Sequence, residues 1–220
     1  MILDHKLTFM PHIKELLRKV CSKAAALRRI RRFIPQQVMI QLYKAYILPH
    51  FEYCSPLLLG IGEMEKNKLE DTNRYILRTI LGLPKSTPYE ELLKIARMKT
   101  LAERRVYNSM VLLFKCIKIE AGPIYISNLF KQKLSVYNMR GSRLELPNFN
   151  LQWNKNSFTY ICSKLWNTLP GNMQLCQDLN NFKSFLRKHI LLNCDIFHFI
   201  FLLQHLGRVG VGSLGRFLVG

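Results

Sequence analysis

The sequence predicts an all-α protein: a helical domain over residues 1–125, an irregular basic connector over 126–156, a small helical module over 157–192 and an apolar, Gly-rich tail over 193–220 expected to be poorly ordered. Three observations lead there. Apolar residues recur at helical spacing in one stretch after another. Capping boxes and Gly/Pro stops mark where those stretches begin and end. Apolar residues make up 49% of the 220, enough for a buried core.

The first predicted helix spans His12 to Phe33, with Ile13, Leu16, Leu17, Val20, Ala24 and Leu27 forming its apolar stripe. Pro35 ends it and suits the first turn of a second helix, which runs to about Leu48 and carries Val38, Leu42 and Tyr46. Pro49 and Pro56 bracket a bend. A third helix runs from about Lys66 to Leu81, with Leu69, Asn73, Ile76 and Ile80 on one face and Gly82 then Pro84 as its stop. Two capping boxes follow, Thr87 with Glu90 and Thr100 with Glu103. The second opens a long helix with Leu101, Val106, Met110, Leu113, Phe114 and Ile117 inward, closed by Gly122-Pro123. From Lys131 to Asn156 periodicity fails, which predicts a loop or irregular hairpin. Helical spacing returns at Ser157 with Phe158, Ile161, Leu165 and Leu169, and Pro170-Gly171 breaks it. Asp178 is the expected N-cap of a last amphipathic helix bearing Leu179, Phe182, Leu186 and Ile190.

Charge narrows the function. Thirty-three Lys and Arg against 14 Asp and Glu leave +19, a pI near 9.9. That excess favours a polyanionic partner, nucleic acid first and an anionic membrane surface second. The apolar run in the tail falls short of the roughly 20 residues a membrane span needs, so membrane association is not the expectation. The six cysteines show no paired Cys/His spacing, which leaves zinc without support. With no secretory signal visible, they read as reduced side chains of an intracellular protein, nuclear or cytoplasmic.

Catalytic patterns are not found. The four aspartates are scattered, whereas two-metal chemistry needs carboxylates clustered around cations roughly 4 Å apart. The glycines of the tail lack the Lys-Ser/Thr ending of a phosphate loop. No Cys/His couple suggests a nucleophile. No cofactor or metal is expected. Binding chemistry remains. At 100° per residue, Lys14, Arg18, Arg29 and Arg32 fall on one flank of the first helix, and "LRRIRRF" adds Arg28 and Arg31. Such a stripe can follow phosphates. The alternatives are a solvated face or a nuclear-import patch. Tyr43, Tyr46, Phe51 and Tyr53 could stack on bases or on sugar faces, but core packing is the stronger reading for each.

Several strings resemble one family in order and spacing. "ILDHKLTFMPHI" matches, through Leu3, Asp4, Leu7, Phe9, His12 and Ile13, the segment that leaves the palm in reverse transcriptases of jockey-like LINE (non-LTR) retrotransposons. "LYKAYILPHFEYCSP" is similar to the next block through Leu42, Tyr43, Ala45, Pro49, Tyr53, Cys54 and Ser55, although the family's following Trp is replaced by the Leu58-Leu59-Gly60 stretch. Arg74, Leu77, Arg78, Ile80, Gly82, Thr87, Pro88 and Leu92 fit a third block, and Leu101, Arg104 and Arg105 a fourth. Leu165-Trp166-Asn167, Leu169-Pro170 and Phe182-Lys183 resemble the C-terminal signature.

The resemblance covers residues 2–190 and implies a thumb-like helical layer that grips template and primer through the backbone. Lys14, Arg18, Arg28, Arg29, Arg31, Arg32, Arg104 and Arg105 are then the candidate nucleic-acid-binding residues. The family's polymerase carboxylates lie in a palm upstream of the matched segment, so the expectation is a catalytically inactive fragment with sequence-independent affinity for RNA, RNA–DNA hybrid or DNA. The alternatives are a translated relic without function, part of a longer active RNA-directed DNA polymerase, and a binder of anionic membrane.

Overall fold

The computed structural model describes residues 1–5, 7–119, 122–133, 143–147 and 155–192. Among these the architecture is all-α. The predicted tail, and residues 134–142 and 148–154 of the predicted connector, lie outside the described residues.

Helix α1 spans Met10–Ile30 and buries Ile13, Leu16, Val20, Ala24 and Leu27 of the predicted stripe, with Leu17 partly buried at its edge. Its entry is set by Asp4, whose carboxylate accepts hydrogen bonds from the Thr8 hydroxyl (2.8 Å) and from the backbone N–H groups of Thr8 and Phe9 (3.0 and 2.8 Å). The helix tightens into one 3₁₀ turn, Arg31–Phe33, before Ile34 goes extended ahead of Pro35. Helix α2 (Gln36–Tyr46) leads into the short α3 (Leu48–Glu52), which packs against both α2 and α1. The inward face of α2 differs from the prediction. Met39 and Tyr43 are buried, whereas Val38 and Tyr46 are exposed, because α2 turns the Tyr43 hydroxyl toward Asn73 of helix α4 (Glu63–Leu81).

Helix α4 packs along α1 and presents Leu69, Asn73, Ile76 and Ile80 to the core, as its spacing predicts. Gly82 ends it in the left-handed region (φ 71°), where a side chain is strained. Helix α5 (Tyr89–Ala96) begins without the predicted Thr87 box. Thr87 is drawn into the preceding turn instead: its N–H donates to the Pro84 carbonyl, and its own carbonyl accepts from Arg78. The Thr100–Glu103 box is formed and opens α6 (Leu101–Phe114). These helices enclose a first core that includes Val20, Tyr43, Ile47, Leu69, Ile76, Leu92 and Leu101.

The rest of α6 belongs to a second core. Val106, Met110, Leu113 and Phe114 pack with Cys162, Leu165 and Trp166 of α8 (Phe158–Thr168), and with Phe182 and Leu186 of α10 (Leu179–Leu192). The Phe114 and Phe182 rings stack at 4.2 Å between centroids. A five-residue π turn, Lys115–Ile119, follows α6, and short helices α7 (Ile124–Ser127) and α9 (Gly171–Gln174) complete the module. Asp178 caps α10 as predicted, accepting from the N–H of Asn181, and Ser157 caps α8, accepting from the N–H of Tyr160. The described base of the connector pairs as an irregular hairpin through one antiparallel bridge, Gln132 with Leu144.

Candidate nucleic-acid interface

Position on α1 decides what each basic residue can do. Counting 100° per residue from Ile13, Lys14, Arg29 and Arg32 lie about 100–160° from the buried stripe, and Arg28 about 60°. All four are exposed, and among the described residues none forms an ion pair. Arg18 shares the flank but not the freedom. Its guanidinium donates two hydrogen bonds to Glu15, both 2.8 Å, and this pairing brings the Glu15 carboxyl down to about 2. Lys19 lies 3.5 Å from the same carboxylate. The N-terminal half of the stripe is therefore partly neutralised. The positive field is concentrated at the other end of α1.

Arg31 falls at about 0°, on the apolar stripe itself. It cannot enter a core uncompensated, so it reaches to the C-terminal end of α4. There Nη1 donates to the Thr79 carbonyl at 3.0 Å, one of the carbonyls a helix leaves without an internal partner. Gly82 makes the room: a Cβ there would come within 2.7 Å of the same Nη1. Arg31 thus anchors the 3₁₀ turn, and Arg28, Arg29 and Arg32 project around it.

Arg104 and Arg105 are taken up by the fold. Arg104 is paired with Glu52 and ties α6 to α3. Arg105 is only 3% exposed. Burial pushes its pKa down, against the opposing attraction of Glu70 and Glu63, and Nη2 has no hydrogen-bond partner among the described residues. Neither offers a free guanidinium to a phosphate in this conformation.

The aromatic candidates divide the same way. Tyr43 and Phe51 are core residues. Tyr46 is half exposed, but the Lys23 ammonium sits 3.8 Å over its ring. Tyr53 faces His12, with ring centroids 6.4 Å apart. The aromatic that inspection of the sequence passed over is Phe33. It ends the 3₁₀ turn and is 85% exposed, the highest value of any large apolar side chain among the described residues. Its place at the end of the predicted helix, beside three arginines, was the available signal.

Among the described residues no group of three or more His, Cys, Asp or Glu is placed to hold a metal ion, and no helix is long and apolar enough to cross a membrane. Comparisons with protein-family models, with curated proteins and with solved structures returned no match.

Proposed function

We propose that this chain binds nucleic-acid backbone without reading sequence, through the arginine end of α1, and that it carries out no chemical step of its own. The observation that carries the proposal is the set of Arg28, Arg29 and Arg32, exposed and unneutralised on the last turn of α1 and the anchored 3₁₀ turn that continues it. Lys14 extends the same flank toward the N-terminus, about 27 Å away at 1.5 Å per residue. Guanidinium groups suit phosphate oxygens through their planar fork of donors. The +19 charge of the whole chain supplies long-range attraction. The resemblance to the thumb of LINE reverse transcriptases points to the same ligand, RNA or RNA–DNA hybrid gripped by its backbone.

The test is fluorescence anisotropy with single-stranded RNA, hybrid and duplex DNA over a salt series. The variant Arg28→Ala/Arg29→Ala/Arg32→Ala is expected to flatten the plot of log affinity against log salt by about 2–3, at roughly 0.7–0.9 per lost phosphate contact. A charge-matched variant, Lys68→Ala/Lys94→Ala/Lys188→Ala, removes three exposed cations from other helices and is expected to change the slope by less than half as much. Equal slopes for the two variants would reject the assignment to α1.

A further inference from the structure

We propose that the Arg31–Phe33 turn is a stacking platform that prefers single-stranded nucleic acid, with Phe33 lying on an unpaired base while Arg28, Arg29 and Arg32 hold the adjoining phosphates. This inference rests on the function proposed above and specifies its ligand. Three independent features of the turn support it. The ring of Phe33 is 85% exposed, although burying such a side chain is favourable. The ring stands on a fixed base rather than a loose loop, since the preceding Arg31 is bonded to the Thr79 carbonyl at 3.0 Å and backs onto Gly82. Its neighbours in the chain are guanidinium groups without carboxylate partners among the described residues.

An isolated exposed Phe needs no explanation, and an exposed arginine cluster by itself would suit any polyanion. The combination is more selective. A base has a π face and an adjoining phosphate, and single strands present both together. Duplexes hide the base faces inside the stack and leave only phosphates outside. Heparin offers charge without any aromatic face. Other exposed aromatics differ in setting: Tyr125, 70% exposed, lies on α7 beside Ile124 and Ile126, with no arginine within several residues in the sequence.

The discriminating ligand is an oligonucleotide with abasic sites, which keeps every phosphate and removes the bases. The full chain and its Phe33→Ala, Phe33→Trp and Tyr125→Ala variants are titrated with a 12-nucleotide single-stranded DNA, its abasic counterpart, the matching duplex, and vesicles of phosphatidylserine and phosphatidylcholine. The exposure of Phe33 means that its removal leaves the cores intact, which circular dichroism checks.

The expected result is that Phe33→Ala weakens single-stranded binding by between about 5- and 150-fold, the effect of losing one base stack. Abasic and duplex binding and the salt slope stay unchanged, Phe33→Trp retains affinity, and Tyr125→Ala behaves as wild type. If Phe33→Ala binds every oligonucleotide as wild type does, the platform is wrong while the arginine surface stands. If wild type binds none of them, both proposals fall. If Phe33→Ala loses vesicle binding and wild type prefers vesicles to oligonucleotides, the turn is a membrane-surface anchor and the platform is rejected.

Discussion

Replacing Trp166 with alanine is expected to cost about 3–5 kcal/mol of folding stability, the range for deleting a large aromatic from a packed core. Trp166 is fully buried, 6.0 Å from the Phe182 ring, which in turn stacks on Phe114. One side chain therefore joins α8, α10 and the C-terminal half of α6. The loss extends beyond the cavity because the residues beside Trp166 organise the backbone around it. Asn167 accepts from the N–H of Leu144 at 2.8 Å and donates to its carbonyl at 2.9 Å, as a neighbouring strand would. The side-chain amide of Gln174, itself buried, donates to the carbonyls of Trp166 and Leu169 at 2.8 and 3.0 Å, closing the C-terminal end of α8. A shift of α8 strains all four bonds. Urea unfolding followed by circular dichroism measures the cost. A loss below about 1 kcal/mol would contradict the place given to Trp166 in the second core.

A comparable effect is expected in the first core from Asn73→Ala. Asn73 is fully buried within a polar chain that links four helices, α2, α4, α5 and α6. Its side-chain oxygen accepts from the Tyr43 hydroxyl at 2.5 Å, its amide donates to the Tyr89 oxygen at 2.8 Å, and the Tyr89 hydroxyl donates to Glu70 at 2.7 Å. The other Glu70 oxygen accepts from the N–H of Ala102 at 2.8 Å, in the first turn of α6. Alanine removes one acceptor and one donor and leaves the Tyr43 hydroxyl buried without its partner, at a cost of about 2–4 kcal/mol once the cavity is included.

The same chain predicts alkaline sensitivity. Burial raises the pKa of both tyrosines, and the Glu70 carboxylate adds to the rise at Tyr89. In the unfolded chain each ionises near pH 10. Above that pH the unfolded state holds fewer protons than the folded one, so stability falls as pH rises. The slope is up to about 1.4 kcal/mol per pH unit for each tyrosine. Below pH 10 the two contribute no pH dependence. Burial raises the Cys162 thiol in the same direction, so Tyr43→Phe should make the alkaline slope shallower without abolishing it. An unchanged slope would show that the Tyr43 phenol is not held neutral by its burial.

Helices were legible where one face alone decides their packing. The stripe of α1, the Gly82 stop and the Thr100–Glu103 box are local patterns, and each is realised in the structure. The phase of α2 was not legible, because it depends on a hydrogen bond from Tyr43 to a residue 30 positions away. Thr87 fits the capping pattern but is claimed by Arg78, a partner that the pattern does not contain. The candidate surface divides in the same way. Periodicity places Lys14, Arg29 and Arg32 on an exposed flank, yet it does not show that Glu15 neutralises Arg18 or that Glu52 claims Arg104. Arg105 sits next to Arg104 in sequence, but adjacent helical residues point about 100° apart, and its direction is into the fold. Several residues quoted for the family resemblance have structural work in this chain. Tyr43 and Trp166 fill cores, Gly82 ends α4, and buried Ser55 accepts from the Asn108 amide at 3.1 Å and donates to the Glu52 carbonyl at 2.6 Å.

The most direct test of the central claim locates the bound strand on the protein. Single-stranded RNA carrying 4-thiouridine would be crosslinked to the full chain by ultraviolet light, and the modified peptides mapped by mass spectrometry. The account predicts crosslinks concentrated in residues 28–33, competed away by excess single-stranded oligonucleotide, with none at Arg104 or Arg105. Crosslinks concentrated instead in the basic connector or on α10, with residues 28–33 unmodified, would contradict it and move the nucleic-acid surface to the other end of the molecule's charge.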